Sequence, residues 1–141
     1  MSAPPTRSGA ALRRAAVTGA SGFIGRVLCD QLLARGIAVR ALVRDAATPL
    51  AAGCERCVIG DIARPGVPWR NALEGADAVF HLAAIAHEPR AAPGRLRAVN
   101  VDATAALARA AFAQGARFVF ASSIKANGEA SATPIDERSP L

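Results

Sequence analysis

Tyrosine is absent from the 141 residues, and with one tryptophan and five phenylalanines the aromatic share is only 4%. No phenol within them can act as acid or base, and the aromatic platforms that stack single-stranded nucleic acid are missing. Acidic residues are scarce too, 11 against 17 basic, which leaves a net charge of +6 and a pI near 10.9. Nearly all the positive charges are arginines lying singly along the chain. With no basic run interleaved with aromatics, the charge reads as composition, and no nucleic-acid partner is expected. No apolar stretch approaches the roughly 18 residues of a membrane span, so no membrane partner is expected either. Cysteines number three: Cys29 stands alone, while Cys54 and Cys57 share C-x-x-C spacing. A redox or zinc role for that pair needs a helix start after the first cysteine or a second ligand pair. Neither is present, so no metal is expected, and the pair reads as two residues of a buried strand.

What is present is an alternation of strand-like and helix-like segments in a chain of single-domain size. The hydrophobic share is 52%, much of it alanine, and there are no internal repeats. Residues 1 to 11, with Pro4, Pro5, Ser8 and Gly9, read as a flexible leader before a domain over 12–141. Ala15 to Val17 begins a first strand, and Phe23, Ile24, Val27, Leu28, Gln31, Leu32 and Leu33 give an apolar stripe at helical spacing that Gly36 stops. Further strands are expected at Ile37 to Val43, Cys54 to Ile59, Ala78 to Leu82 and Phe118 to Ala121, the fourth buried on both faces. A short helix falls within Pro65 to Leu73, and the longest spans Leu96 to Gln114. Such alternation with short links predicts an α/β fold, a Rossmann-type doubly wound parallel sheet in the order 3-2-1-4-5. Strand five is then an open edge, with poor solubility a fair expectation.

The most informative stretch is Val17-Thr18-Gly19-Ala20-Ser21-Gly22-Phe23-Ile24-Gly25. Each glycine has its own reason: Gly19 for a backbone conformation closed to other residues, Gly22 for close approach of a ligand, Gly25 for tight packing of the helix. The free amides at the helix start, with the positive dipole end, suit an anion, most simply a pyrophosphate. The G-x-x-G-x-x-G spacing misses the general dinucleotide fingerprint by one residue. Arg13-Arg14 just upstream suggests a twin-arginine export signal, but cleavage after it would destroy this turn, so the chain is read as cytoplasmic. Every other candidate motif also falls at a strand's C-terminal end, where ligands bind in such sheets.

The string from Val17 to Gly25 closely resembles the opening of the extended short-chain dehydrogenase/reductase family. Its members epimerise, dehydrate or reduce nucleotide-linked sugars with a bound nicotinamide cofactor. The resemblance implies that Gly19, Ser21, Gly22, Phe23, Ile24 and Gly25 form the cofactor turn. It makes Gly60-Asp61-Ile62 the adenine site, with Asp61 accepting a hydrogen bond from the amino group and Ile62 packing beside the ring. His81-Leu82-Ala83-Ala84 resembles the family's H-x-A-A segment, whose Leu82, Ala83 and Ala84 let the cofactor lie against the main chain while His81 stays buried and structural. His87, in the next loop, reads as a surface residue. Asn100-Val101-Asp102-Ala103-Thr104 resembles N-V-x-G-T, which implies that Asn100 helps fix the cofactor. Ser123, in Ser122-Ser123-Ile124-Lys125-Ala126-Asn127-Gly128, matches the serine that hydrogen-bonds the sugar hydroxyl, and this version of the loop points to N-acetylated nucleotide sugars.

NAD-binding relatives end strand two with a carboxylate for the ribose hydroxyls, and here that strand ends Leu42-Val43-Arg44. Arg44, with Arg40, can pair with a 2′-phosphate, which favours NADP over NAD, while Asp45 one position further on keeps NAD open; the plainer reading of Arg44 is a solvated loop arginine. The family's Tyr-x-x-x-Lys pair, in which the lysine lowers the tyrosine's pKa, has no counterpart here. The resemblance covers the first half of a typical member, so the expectation is a C-terminally truncated NAD(P)-binding portion without its substrate domain and inactive alone. In an intact enzyme it implies hydride transfer between sugar C4 and nicotinamide, with a homodimer possible. A non-catalytic NAD(P)-binding sensor or interaction module is the competing reading.

Overall fold

A computed structural model describes residues 11–86, 92–123, 126 and 134–139. Residues 1–10 of the expected leader lie outside that set, as do His87, Ile124, Lys125, Asn127 and Gly128. Five strands, β1 Arg14–Thr18, β2 Ala38–Val43, β3 Glu55–Val58, β4 Ala78–His81 and β5 Arg117–Phe120, form one sheet in the order β3-β2-β1-β4-β5. All four pairings are parallel, as expected from the alternation, with Ala15 level with Val39 on one side and Ala78 on the other. Asp77 fixes where β1 enters: its Oδ2 accepts the amides of Arg13 and Arg14, each at 2.9 Å.

Successive side chains of β1 supply two cores, one on each face. Ala15 and Val17 join Val39, Ala41 and Val43 under helix α1 (Phe23–Ala34), which contributes Cys29 and Leu32. Ala16 joins Leu42 and Val79 on the other face, under α2 (Trp69–Ala72) and a long helix contributing Leu107 and Ala111. The alanines keep helix and sheet close, so Leu73 and Leu107 are fully buried, worth about 1.5–3 kcal/mol each. Both long helices close alike: Ile37 N donates to Leu32 O and Gly36 N to Leu33 O, and Ala116 and Gly115 repeat the pattern on Ala111 and Phe112.

Several expectations need correction. The face of α1 that meets the sheet is Gly25, Cys29 and Leu32, at i, i+4 and i+7. Phe23, at 92% exposure, Ile24 and Val27 point away from it, because the turn before the helix sets its rotation and the apolar stripe is wide enough to fit two settings. β3 is an edge strand, so Cys54 and Cys57 are half-buried and not deep in a sheet interior. Burial, first, and the neighbouring Cys54 push the Cys29 thiol of α1 up to about 12. The longest helix starts three residues early and is not uniform. It runs as α3 Pro93–Arg97, a π-helical segment Ala98–Ala103, and α4 Thr104–Ala113. The other edge, β5, leaves Val119 and Phe120 about half exposed.

Candidate functional site

At the C-terminal ends of β1, β2, β3 and β4 lies a groove of about 420 Å³, within the range of small-molecule sites. Its first wall is the turn between β1 and α1. Gly19 has φ +69, and a Cβ there would stand 2.9 Å from Ala83 N and Leu82 C, so only glycine lets the turn rest on the strand beside it. A Cβ on Gly25 would lie 2.0 Å from Gly19 O: this position holds the first turn of α1 against the turn that precedes it. Gly22 is the N-cap, extended at φ −73, and no side chain caps the helix. That leaves a positive helix end without a competing side-chain acceptor beside the groove.

The opposite wall is held by side chains. Thr18 Oγ1 accepts the amides of Leu82 and Ala83, each at 3.2 Å, and its hydroxyl faces His81 Nδ1 at 2.7 Å. His81 Nε2 faces Thr104 Oγ1 at 2.8 Å, and Thr104 donates to Asn100 O at 3.0 Å. Because Thr18 already accepts two amides, its hydroxyl is the donor to Nδ1, which fixes His81 as the neutral Nε2–H tautomer. Burial holds its pKa below the ordinary histidine value, in keeping with that uncharged form. The imidazole lies against Phe118 and Phe120, with ring centroids 6.1 and 5.7 Å away. The histidine is therefore buried and structural, as the H-x-A-A resemblance implies.

Asn100 is the second clamp. Its Oδ1 accepts Ile85 N and its Nδ2 donates to Ile85 O, both at 2.9 Å, so one amide side chain pairs with the extended chain after β4 as a neighbouring strand would. The residue falls inside the π-helical segment, whose extra residue per turn shifts the face each side chain occupies. Val99 of the same segment lines the groove.

The groove collects most, but not all, of the sequence candidates. Gly19, Ser21, Gly22, Arg44, Asp61, Ile62, Leu82, Ala83 and Ala84 line it. Phe23, Ile24 and Gly25 do not: the first two are exposed and Gly25 is buried behind the turn. Asn100 stands behind the wall it holds, and Ser123 is exposed beyond β5, outside the groove. Arg40 is no partner for a phosphate at the end of β2: it is 13% exposed, its Nε bonds Glu55 at 2.9 Å, and its NH1 bonds Ala72 O and Glu74 O. One charged residue was missed. Asp45, visible in the sequence one residue after Arg44, pairs with it at 3.0 Å, and Arg95 of α3 pairs with Asp61 at 2.6 Å. Arg95 gave no signal in the sequence, because it enters from 34 residues away. Among the described residues no cluster of His, Cys, Asp and Glu could hold a metal ion, and no helix is long and apolar enough to cross a membrane.

A five-stranded parallel sheet in this order, with a glycine turn facing a groove at its switch point, is a Rossmann-type domain of the short-chain dehydrogenase/reductase kind. Residues 15–141 match the NAD dependent epimerase/dehydratase family, and the chain belongs to it. It is 35% identical over 133 residues to 4-hydroxy-2-methyl-3-oxo-4-farnesyl-3,4-dihydroquinoline-1-oxide ketoreductase of Stigmatella aurantiaca, covering 91% of this chain and 39% of that one. A short-chain dehydrogenase/reductase superfamily protein from Agrobacterium tumefaciens, solved with bound NAD, superposes with a TM-score of 0.76 at 34% identity, over 92% of this chain and 39% of that one. MoeE5 in complex with UDP-glucose and NAD gives 0.71 at 32% identity, over 91% and 42%. The chain thus spans about two fifths of the length of these relatives.

Proposed function

We propose that this chain is the cofactor-binding portion of a nucleotide-sugar epimerase, reductase or dehydratase that works by hydride transfer at sugar C4. The observation that carries the reading is the uncapped N-terminus of α1 set beside the Leu82 to Ala84 wall in one groove. Main-chain amides there meet a diphosphate without a competing side chain, and small residues opposite leave it room. The residues present fit a nicotinamide dinucleotide: a Cβ at Gly19 would force apart the two walls that form its cradle. When bound, the cofactor supplies hydride acceptance and donation.

The chain's own residues then bind and orient. Gly19 to Gly22 hold the diphosphate, while Asp61 and Ile62 receive adenine. Asn100 and the His81 network keep the wall beneath the nicotinamide half in shape. Arg44 takes the 2′-phosphate, which favours NADP, and its pairing with Asp45 makes that preference modest. Ser123 aligns the substrate hydroxyl, and a phenolic base comes from outside these 141 residues, which hold no tyrosine. UDP-glucose on MoeE5 supports the nucleotide-sugar part of the reading. The ketoreductase relative supports a second one, reduction of a ketone not linked to a nucleotide on the same cofactor groove.

Fluorescence titration with NADPH and NADH tests the cofactor. Binding of both, with the NADPH preference lost in Arg44→Ala, is expected; no signal from either at millimolar concentration overturns the reading. Saturation-transfer NMR with UDP-glucose in the presence of cofactor separates the two substrate classes.

A further inference from the structure

Asp61 already has a partner on each carboxylate oxygen. Its Oδ1 accepts the Ala63 amide at 3.0 Å, an Asx turn that shapes the loop after β3. Its Oδ2 accepts Arg95 NH1 at 2.6 Å, a charge-assisted bond at the short end of its range. Arg95 belongs to α3, in the connection that follows β4, and both residues line the groove. The ion pair therefore joins two elements that flank its purine end. The carboxylate is the more sheltered member, at 23% exposure against 41% for the arginine. Arg95 first, then the Ala63 amide, hold the Asp61 carboxyl below its ordinary range, so it is an anion at neutral pH.

An amino group that comes to Asp61 displaces the guanidinium, shares Oδ2 with it or shares Oδ1 with the Ala63 amide, since each carboxylate oxygen has two lone pairs. In each case it meets an acceptor whose charge is partly neutralised. Resting on the dinucleotide reading above, we infer that Arg95 is a specificity-determining latch: it competes with the 6-amino group of adenine for Asp61 and weakens the groove's preference for an amino-purine. The loop after β3 stays shaped by the Ala63 bond whether the latch is open or shut.

The test compares ADP with purine riboside 5′-diphosphate, in which hydrogen replaces the 6-amino group, by calorimetry on the purified full chain. Because ribose and diphosphate are common to both, the ratio of their affinities isolates the amino group. Arg95→Gln raises the ratio by about threefold, the range of partly exposed ion pairs. In the wild type the ratio climbs with added KCl as the pair is screened, and in Arg95→Gln it stays flat. Arg97→Gln, an equal change of charge on the same helix whose side chain pairs loosely with Asp102 at 3.8 Å, leaves the ratio at the wild-type value. A ratio that is unchanged or lower in Arg95→Gln overturns the latch alone, because Arg95 then touches the ligand or ignores it. If ADP, NADH and NADPH all fail to bind either protein while circular dichroism shows both folded, the dinucleotide reading falls and the latch with it.

Discussion

The two walls of the groove are built by opposite means. On the α1 side the turn from Gly19 to Gly25 is shaped by backbone, and its key residues are those with no side chain. On the β4 side the shape depends on side-chain hydrogen bonds: Thr18, His81 and Thr104 in series, and Asn100 on the Ile85 backbone. A wall of the first kind has no room for an added atom at Gly19 or Gly25, whereas one of the second kind loses a limited amount for each partner removed. The difference teaches where this fold is brittle and where it can be tuned.

Breaking the backbone wall should have the largest effect. In Gly25→Ala the added methyl meets a carbonyl oxygen at 2.0 Å, backbone against backbone, and we expect a loss of about 3 kcal/mol or more in urea unfolding. A loss under about 1 kcal/mol would mean that the turn yields, and the contrast between the walls would be void. His81→Leu should follow. It leaves the Thr18 hydroxyl proton without an acceptor in a buried setting, while Thr104 loses the Nε2–H donor but keeps its bond to Asn100 O, at a cost of about 1–3 kcal/mol read by the same urea midpoint. Asn100→Ala removes two half-buried bonds and should cost about 1–2 kcal/mol, with faster hydrogen exchange at the Ile85 amide as its own signature.

A pH series sharpens the same comparison, because only the side-chain wall contains a group that titrates near neutrality. Folded His81 has its pKa lowered by burial, whereas in the unfolded chain it titrates near the ordinary 6.5. Below that value the unfolded state binds the extra proton first, so stability is full above pH 6.5 and falls as pH drops towards the folded pKa. The slope cannot exceed about 1.4 kcal/mol per pH unit for one proton, and His81→Gln should flatten it. An unchanged slope in that variant would move the effect to another group. Arg44→Ala should be the mildest change. Arg44 and Asp45 are both exposed, and such a pair contributes about 0–1 kcal/mol, so the thermal midpoint should barely move.

The backbone wall was legible in the sequence because glycine spacing in a strand–turn–helix context constrains geometry over a few residues. The order of the sheet was legible for a similar reason: strands joined by short helical crossovers leave few parallel arrangements. The side-chain wall was half legible. Asn100 and His81 could be named through a family resemblance, but not what they bond, since their partners lie 15 to 63 residues away. Arg40 and Arg44 looked alike on one strand. Their fates parted only when β3 brought Glu55 level with Arg40 and left Arg44 past the strand's end. The rotation of α1 was misjudged for want of the same information, since periodicity gives a face but not which side of a broad apolar stripe meets the sheet.

By itself the sequence determined the alternating α/β architecture, the parallel sheet and the place of the glycine turn, because each follows from local periodicity and from residues that lack side chains. Tertiary structure alone decided which charges are committed to one another at the groove. Arg95 on Asp61 and Arg40 on Glu55 arise where separate crossovers bring distant segments together, and no local pattern encodes that distance.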